Sequence, residues 1–367
     1  MTDFDTLIKT AVEKGATDIH ISSSIPPRMR VNEELLPMRI GEPLDFALIT
    51  SQIQGCLDEV LRRKVERSLA NFEDVDFSFT IPSVTRVRAN MYTSTSGRNI
   101  ALRLIPLRRM TCDQIGIPDP VCQITDKASG LFIVTGPNGA GKTSTLAALI
   151  DRMNETRNIH ILTLEDPVEY VFESKKALIN QREIGTHSPD FAHALRSSVR
   201  ENPDVLILGE MRDLDATRAA LELAETGHLV FATLHTRTSI STVDRLISLF
   251  PADEQPLVRN MIAGTLLGVL AQVLMARNGG GLVPAFELLL STPAVRNLIR
   301  EQRLAQIETV IQTSSNIGMI KLEDYMMKLV ERGIVSPREA LSKTFDRNAL
   351  LERMKSDPRF ASLASGR

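Results

Sequence analysis

The sequence predicts an α/β chain in which a mostly parallel, doubly covered sheet follows a small α+β domain. Three observations lead there. From Leu131 onward, short apolar runs alternate with helical segments, the pattern of parallel strands joined by crossover helices. The stretch LFIVTGPNGAGKT joins one apolar run to a helix through a glycine-rich GxxxxGK[ST] turn. Before Pro106 the strands instead alternate with period two, as in DVDFSFTI and TRVRANMYTS, which marks a half-buried antiparallel sheet.

Element by element, residues 1–14 space Phe4, Leu7, Ile8 and Val12 as an amphipathic helix. TDIHIS and PPRMRVN read as two strands, and Ser51 to Ala70 as one helix. DVDFSFTI, TRVRANMYTS and RNIALRLIP supply three more strands and close a first domain at 1–106. Residues 107–130 carry turn residues of mixed polarity and are expected to be a linker with one short helix. The core, 131–355, has strands at LFIVTG, HILTLED, DVLILGE and HLVFATLHT, with helices at Thr143–Thr156, Phe191–Arg200 and Ala216–Thr226 between them. From Pro251 the pattern is mostly helical, apart from a hairpin at NGGGLVPAFELLL. The tail, 356–367, is expected to fray.

Composition narrows the function. The chain has 367 residues, 43% hydrophobic and 24% charged, with a formal net charge of −2. No segment is basic enough for a phosphate-backbone footprint, so no nucleic-acid partner is expected. The N-terminal MTDFDTLIKT is acidic and lacks a secretion-signal pattern. The most apolar window, Met261 to Ala276, is interrupted by Thr265 and Gln272. It falls short of the roughly 18 residues of a spanning helix and reads as a buried core helix. Three cysteines without a CxxC pair fit a reducing cytoplasm.

The glycine turn is a phosphate-binding motif. Gly136, Pro137, Asn138, Gly139, Ala140, Gly141, Lys142, Thr143 and Ser144 are expected to hold a nucleotide. Glycines let successive backbone N–H groups curl around phosphate oxygens, and the helix N-terminus adds partial positive charge. Lys142 is expected at the terminal phosphates and the Thr143 hydroxyl on Mg²⁺. The side chains of Ser144 and Thr145 are expected on the helix surface.

Glu210 ends the strand DVLILGE, at the carboxyl edge where open α/β sheets bind ligands, and is a second candidate for Mg²⁺. LTLEDPVEY brings Glu165, Asp166 and Glu169 toward the same edge. One of them is expected to orient or deprotonate the attacking water. Spacing does not choose among the three. His228 and His235 bracket a strand, and His235 falls at its carboxyl end. Seven residues across a strand place the two at opposite ends, so they are not a metal pair.

GPNGAGKT, LEDPVEY, LGEMRD and TGHLVFATLHT resemble, in order, the Walker A, Asp, Walker B and His boxes of the bacterial secretion ATPases. AVRNLIRE, Ala294 to Glu301, is similar to the signature of their pilus-retraction branch. The four-cysteine zinc element typical of the assembly and secretion branches is missing from the sequence.

The resemblance implies a RecA-like ATPase core behind a PAS-like first domain. It also implies a homohexamer using ATP and Mg²⁺ at the cytoplasmic face of the inner membrane. There the ring would work against a membrane platform protein to drive type IV pilus retraction and twitching motility. It makes Glu169 the general base and Glu210 the Walker B glutamate, with His228 and His235 near the γ-phosphate and the subunit interface. Arg88 and Arg103 match the family's arginines that reach a neighbour's phosphates, while the register of Arg98 differs. The alternatives are an assembly or secretion ATPase of the same superfamily and an accessory retraction paralogue. Outside the family they are a non-hydrolysing nucleotide module and a DNA motor.

Overall fold

The computed structural model describes residues 4–23, 25–31, 34–38, 46–211, 213–356 and 359. The expected frayed tail lies outside these residues, apart from Ser356 and Arg359. The chain forms two compact units. The first comprises residues up to Arg109 together with Asp166–Phe172 and Arg182–Pro189; the second is the remainder.

The first unit is an antiparallel sheet of six strands: β1 (Asp18–Ser22), β2 (Ile25–Val31), β3 (Glu34–Pro37), β4 (Val75–Ile81), β5 (Thr85–Ser94) and β6 (Gly97–Ile105). Their order is β3-β2-β1-β6-β5-β4. Alternation sends Ile19, Ile21, Phe77, Phe79, Val87, Ala89, Met91, Ile100 and Leu102 into one core with Phe4, Leu7, Ile8, Ile49, Ile53 and Val65 of the helices. The opposite face carries Arg88 and Arg103, directly paired across β5 and β6.

Two details depart from the sequence reading. The single helix expected at Ser51–Ala70 is two, Phe46–Gly55 and Glu59–Asn71. Asp58 starts the second by accepting the Leu61 N–H at 2.9 Å, a cap that competes with helix continuation. The strand β3 was not foreseen; all four of its residues are exposed, so no alternation betrays it.

The second unit opens with two short helices, Cys112–Ile115 and Asp119–Ile124, where one was expected. Gly116, at φ 79°, closes the first, a left-handed cap that favours glycine. The sheet has seven strands: β7 (Gly130–Thr135), β8 (His160–Glu165), β9 (Leu178–Glu183), β10 (Val205–Leu208), β11 (Leu229–Leu234), β12 (Leu266–Ala276) and β13 (Leu282–Leu290). Their order is β13-β12-β7-β11-β10-β8-β9. β12, β7, β11, β10 and β8 run parallel. Every residue of β7, β10 and β11 is buried, as a sheet covered on both faces requires.

The core helix expected over Met261–Ala276 is corrected. A helix, Gln255–Thr265, ends there and β12 begins at Leu266. β12 lies between β7 and β13 and is buried on both sides. Its apolar run therefore carries no period to distinguish strand from helix.

Candidate active site

Because β7, β8, β10 and β11 are parallel and in register, with Thr135 opposite Leu234 and Leu208 opposite both Leu164 and Ala232, their carboxyl ends share one edge. The glycine loop leaves β7 there and enters the helix Lys142–Thr156. Gly139 and Gly141 adopt φ of 75° and 86°, left-handed values at which a side chain is strained. At Gly136 a side chain would collide with the Gln272 carbonyl of β12.

Lys142 is buried beneath its loop. Its ammonium donates to the carbonyls of Gly136 (2.8 Å) and Pro137 (3.1 Å) and lies 3.3 Å from His235 Nδ1. His235 Nε2 is 2.8 Å from Glu210 Oε1. An ammonium only donates, so Nδ1 accepts and the ring proton sits on Nε2, facing the carboxylate. Lys142, His235 and Glu210 thus form one polar chain across three strand ends. The loop that bears His235 is held by Thr135 Oγ1, which donates to the Thr236 carbonyl at 2.7 Å. It is held again at Ser239, whose N–H and hydroxyl donate to Glu287 Oε1 at 2.7 and 2.6 Å. Burial pushes the Glu287 carboxyl above its ordinary range, although the two Ser239 bonds pull it down.

His228 is not part of this group. It precedes β11 at the amino edge, and its Nδ1 lies 3.1 Å from the Leu223 carbonyl. Seven residue steps along β11 place it about 23 Å from His235 at roughly 3.3 Å per residue. As the strand spacing predicts, the two histidines stand at opposite ends of β11, and of the two it is His235 that reaches the phosphate loop within a chain.

Thr143 and Ser144 are half-buried in the first helical turn. Thr145, expected on the helix surface, is fully buried and donates to Gln272 Oε1 at 2.9 Å. The reason is that this helix packs on the sheet with its first turns enclosed, leaving little of it as surface.

The three candidate acids separate. Glu165 ends β8 and accepts from Thr163 Oγ1 (2.6 Å) and Gln181 Nε2 (3.1 Å). Asp166 and Glu169 belong to the first unit. There Glu169 Oε1 lies 3.6 Å from Arg88 Nη1. Its segment is pinned by Arg86 Nε, which donates to the Val168 carbonyl at 2.9 Å, and by the Val168 N–H, which donates to buried Glu183 at 3.0 Å. Arg103 pairs with Asp18 at 3.1 Å, and Arg98 Nη2 donates to the Leu69 carbonyl at 3.3 Å. Sequence reasoning missed Glu183, Gln272 and Glu287. For Gln272 and Glu287 the available signal was a lone polar residue inside an apolar run; Glu183 follows Asn180, Gln181 and Arg182 and carried no such signal.

A phosphate loop on a parallel sheet, with a lysine, a histidine and a carboxylate linked at the next strand ends, defines a P-loop nucleotide-binding core. Residues 1–332 match the family model of the type II/IV secretion system proteins, and the chain belongs to that family. It is 41% identical to the type IV pilus retraction ATPase PilT of Pseudomonas aeruginosa, over 93% of this chain and 98% of that one. It is 40% identical to a twitching motility protein of Neisseria gonorrhoeae, over 86% of this chain and 83% of that one. A crystal structure of the pilus retraction motor PilT with bound ADP superposes with a TM-score of 0.86 at 38% identity. That match covers 96% of this chain and all of the other.

Proposed function

We propose that this chain hydrolyses ATP to drive type IV pilus retraction. The observation that carries the reading is the Lys142–His235–Glu210 chain beside the phosphate loop, in a protein similar over almost its whole length to a retraction ATPase. The loop N–H groups and Lys142 bind the β- and γ-phosphates. Lys142 exchanges its loop carbonyls for phosphate oxygens when nucleotide enters. His235 then relays the presence of the γ-phosphate to Glu210.

The donors at hand for a metal, the Thr143 hydroxyl and the Glu210 carboxylate, are hard oxygens. Mg²⁺ takes one or two such groups and keeps water and phosphate oxygens for the rest. When bound, it neutralises phosphate charge. Glu169 takes the proton of the attacking water. Arg88 and Arg103 act on the phosphates of a neighbouring copy in a homohexamer, which makes ring assembly a condition of turnover. In the single chain Arg88 is held by Glu169 and Arg103 by Asp18, so both arginines exchange partners on assembly.

Among the described residues no helix is long and apolar enough to cross a membrane. On this reading the ring works at the cytoplasmic face of the inner membrane, held there by contacts with a platform protein.

The test is a deletion strain complemented with wild type or with Lys142→Ala. Wild type should restore twitching, and Lys142→Ala should leave abundant but immobile pili and no phosphate release. Loss of surface pili on deletion would instead support the assembly alternative.

A further inference from the structure

Gln272 stands alone as a polar residue in β12, between Ala271 and Val273. It is 2% exposed. A primary amide in such a place is costly unless each end is bonded. Both ends are, and both partners belong to the phosphate-binding machinery. Nε2 donates to the Ala140 carbonyl at 2.6 Å, and Oε1 accepts from Thr145 Oγ1 at 2.9 Å. The same residue meets the loop at two further points. Its backbone carbonyl lies under Gly136, and its Nε2 is 3.3 Å from where a Cβ on Gly141 would stand.

The bond to Ala140 has a directional consequence. In a trans peptide the C=O and the next N–H point in opposite directions. Holding the Ala140 carbonyl toward β12 therefore turns the Gly141 N–H away from the sheet. Gly141 is the residue that precedes the helix Lys142–Thr156, in a left-handed conformation, so its N–H is one of the donors that no helical carbonyl satisfies. Thr145 fixes which way round the amide lies, because a hydroxyl donating to Oε1 leaves Nε2 for Ala140. A flipped amide would set an oxygen against the Ala140 oxygen.

We propose that Gln272 is a positioning residue of the phosphate loop, holding the Ala140–Gly141 peptide so that the Gly141 N–H meets the nucleotide phosphates. The inference rests on the reading of 136–143 as a nucleotide loop. It adds that the loop is shaped from the neighbouring strand and not only by its own glycines. Gln272 touches no substrate atom and acts through Ala140.

The test measures dissociation constants for a fluorescent N-methylanthraniloyl-ADP on the full chain. Gln272→Met keeps length and apolar volume but removes both bonds. It should weaken ADP by about 10- to 100-fold, the worth of one hydrogen bond to a charged group. Gln272→Glu keeps the acceptor for Thr145 but loses the donor to Ala140 while ionised. It should bind ADP about tenfold or more weakly near pH 8 and recover toward wild type near pH 5.5, where a buried, protonated carboxyl again donates to Ala140. Each variant is compared with wild type at the same pH, because the ADP phosphate itself takes up a proton over this range, and the prediction concerns that ratio. A residue that only filled space would lower stability without tying ADP affinity to the protonation of that side chain. Gln272→Met binding ADP as wild type does, or a Gln272→Glu deficit that ignores pH, would overturn the proposal. Failure of the wild-type chain to bind ADP would instead strike the loop reading beneath it.

Discussion

Replacing Glu287 by leucine should destabilise the second unit and slow turnover together. Glu287 is 7% exposed and lies in the otherwise apolar run AFELLL of β13. Its Oε1 receives both the N–H and the hydroxyl of Ser239, the first residue of the helix Ser239–Ser248. Leucine leaves those two buried donors unmet, at about 1–3 kcal/mol each, and relief of the carboxylate's own desolvation returns part of that. A net loss of about 2–4 kcal/mol lowers the melting temperature by about 5–15 °C for a unit of this size. Glutamine, which keeps an acceptor, should recover most of it.

The pH dependence has a definite sign. Burial raises the carboxyl above its ordinary 4.5, and nearby Glu323 adds to the rise. Between 4.5 and the raised value the native state holds a proton that the unfolded chain has lost. This group therefore favours the fold fully below 4.5, and that contribution disappears as pH rises through the native value. Urea melts of wild type and Glu287→Gln across pH 4 to 8 measure it, about the range over which a shifted glutamate titrates. The difference between the two should grow with pH in favour of glutamine. A Glu287→Leu protein within about 0.5 kcal/mol of wild type, the ordinary scatter of surface changes, would refute the reasoning.

Two further predictions follow from the site. Glu169→Gln should lower steady-state phosphate release by about 10²- to 10⁴-fold, the usual worth of a general base, while ADP still binds by fluorescence titration; a normal rate would refute the base assignment. His235→Ala should cut the same rate at least tenfold, roughly the loss of one charge-assisted bond, whereas His228→Ala, at the far edge of β11, should leave chemistry in each active site near wild type. Equal deficits in single-turnover assays would contradict the strand geometry.

Much of the fold was legible because its periods were clean. The sequence of β4 alternates over its seven residues and β5 buries every second residue from Thr85 to Met91, and the glycine loop lies between a strand and a helix that announce each other. What stayed hidden had a physical cause in each case. β3 is exposed throughout, so no side of it is selected for apolar residues. β12 is buried on both faces, which erases the two-residue period and leaves a run that reads equally as a helix. The first helix ends at Gly55 and the second is capped by Asp58, which accepts from Leu61, while Arg62 donates to the Gln54 and Leu57 carbonyls between them; no apolar period marks these local bonds.

The site divides the same way. Lys142, Glu210 and His235 were legible because motif spacing marks them, and the parallel register of β7, β10 and β11 brings them to one edge. Gln272 and Glu287 lie outside those motifs, and no spacing rule marks them. Yet they share a logic. Ala271 and Gln272 of β12 pair with Glu287 and Phe286 of β13, so the two polar side chains leave adjacent positions of one hairpin. One bonds the phosphate loop and the other bonds the start of the helix behind the histidine loop. A polar group survives in a strand this apolar only where its bonds offset desolvation, and those bonds are available only if both loops already stand in place. The burial of these two side chains therefore ties the geometry of the phosphate loop and the His235 loop to the packing of the β12–β13 strand pair.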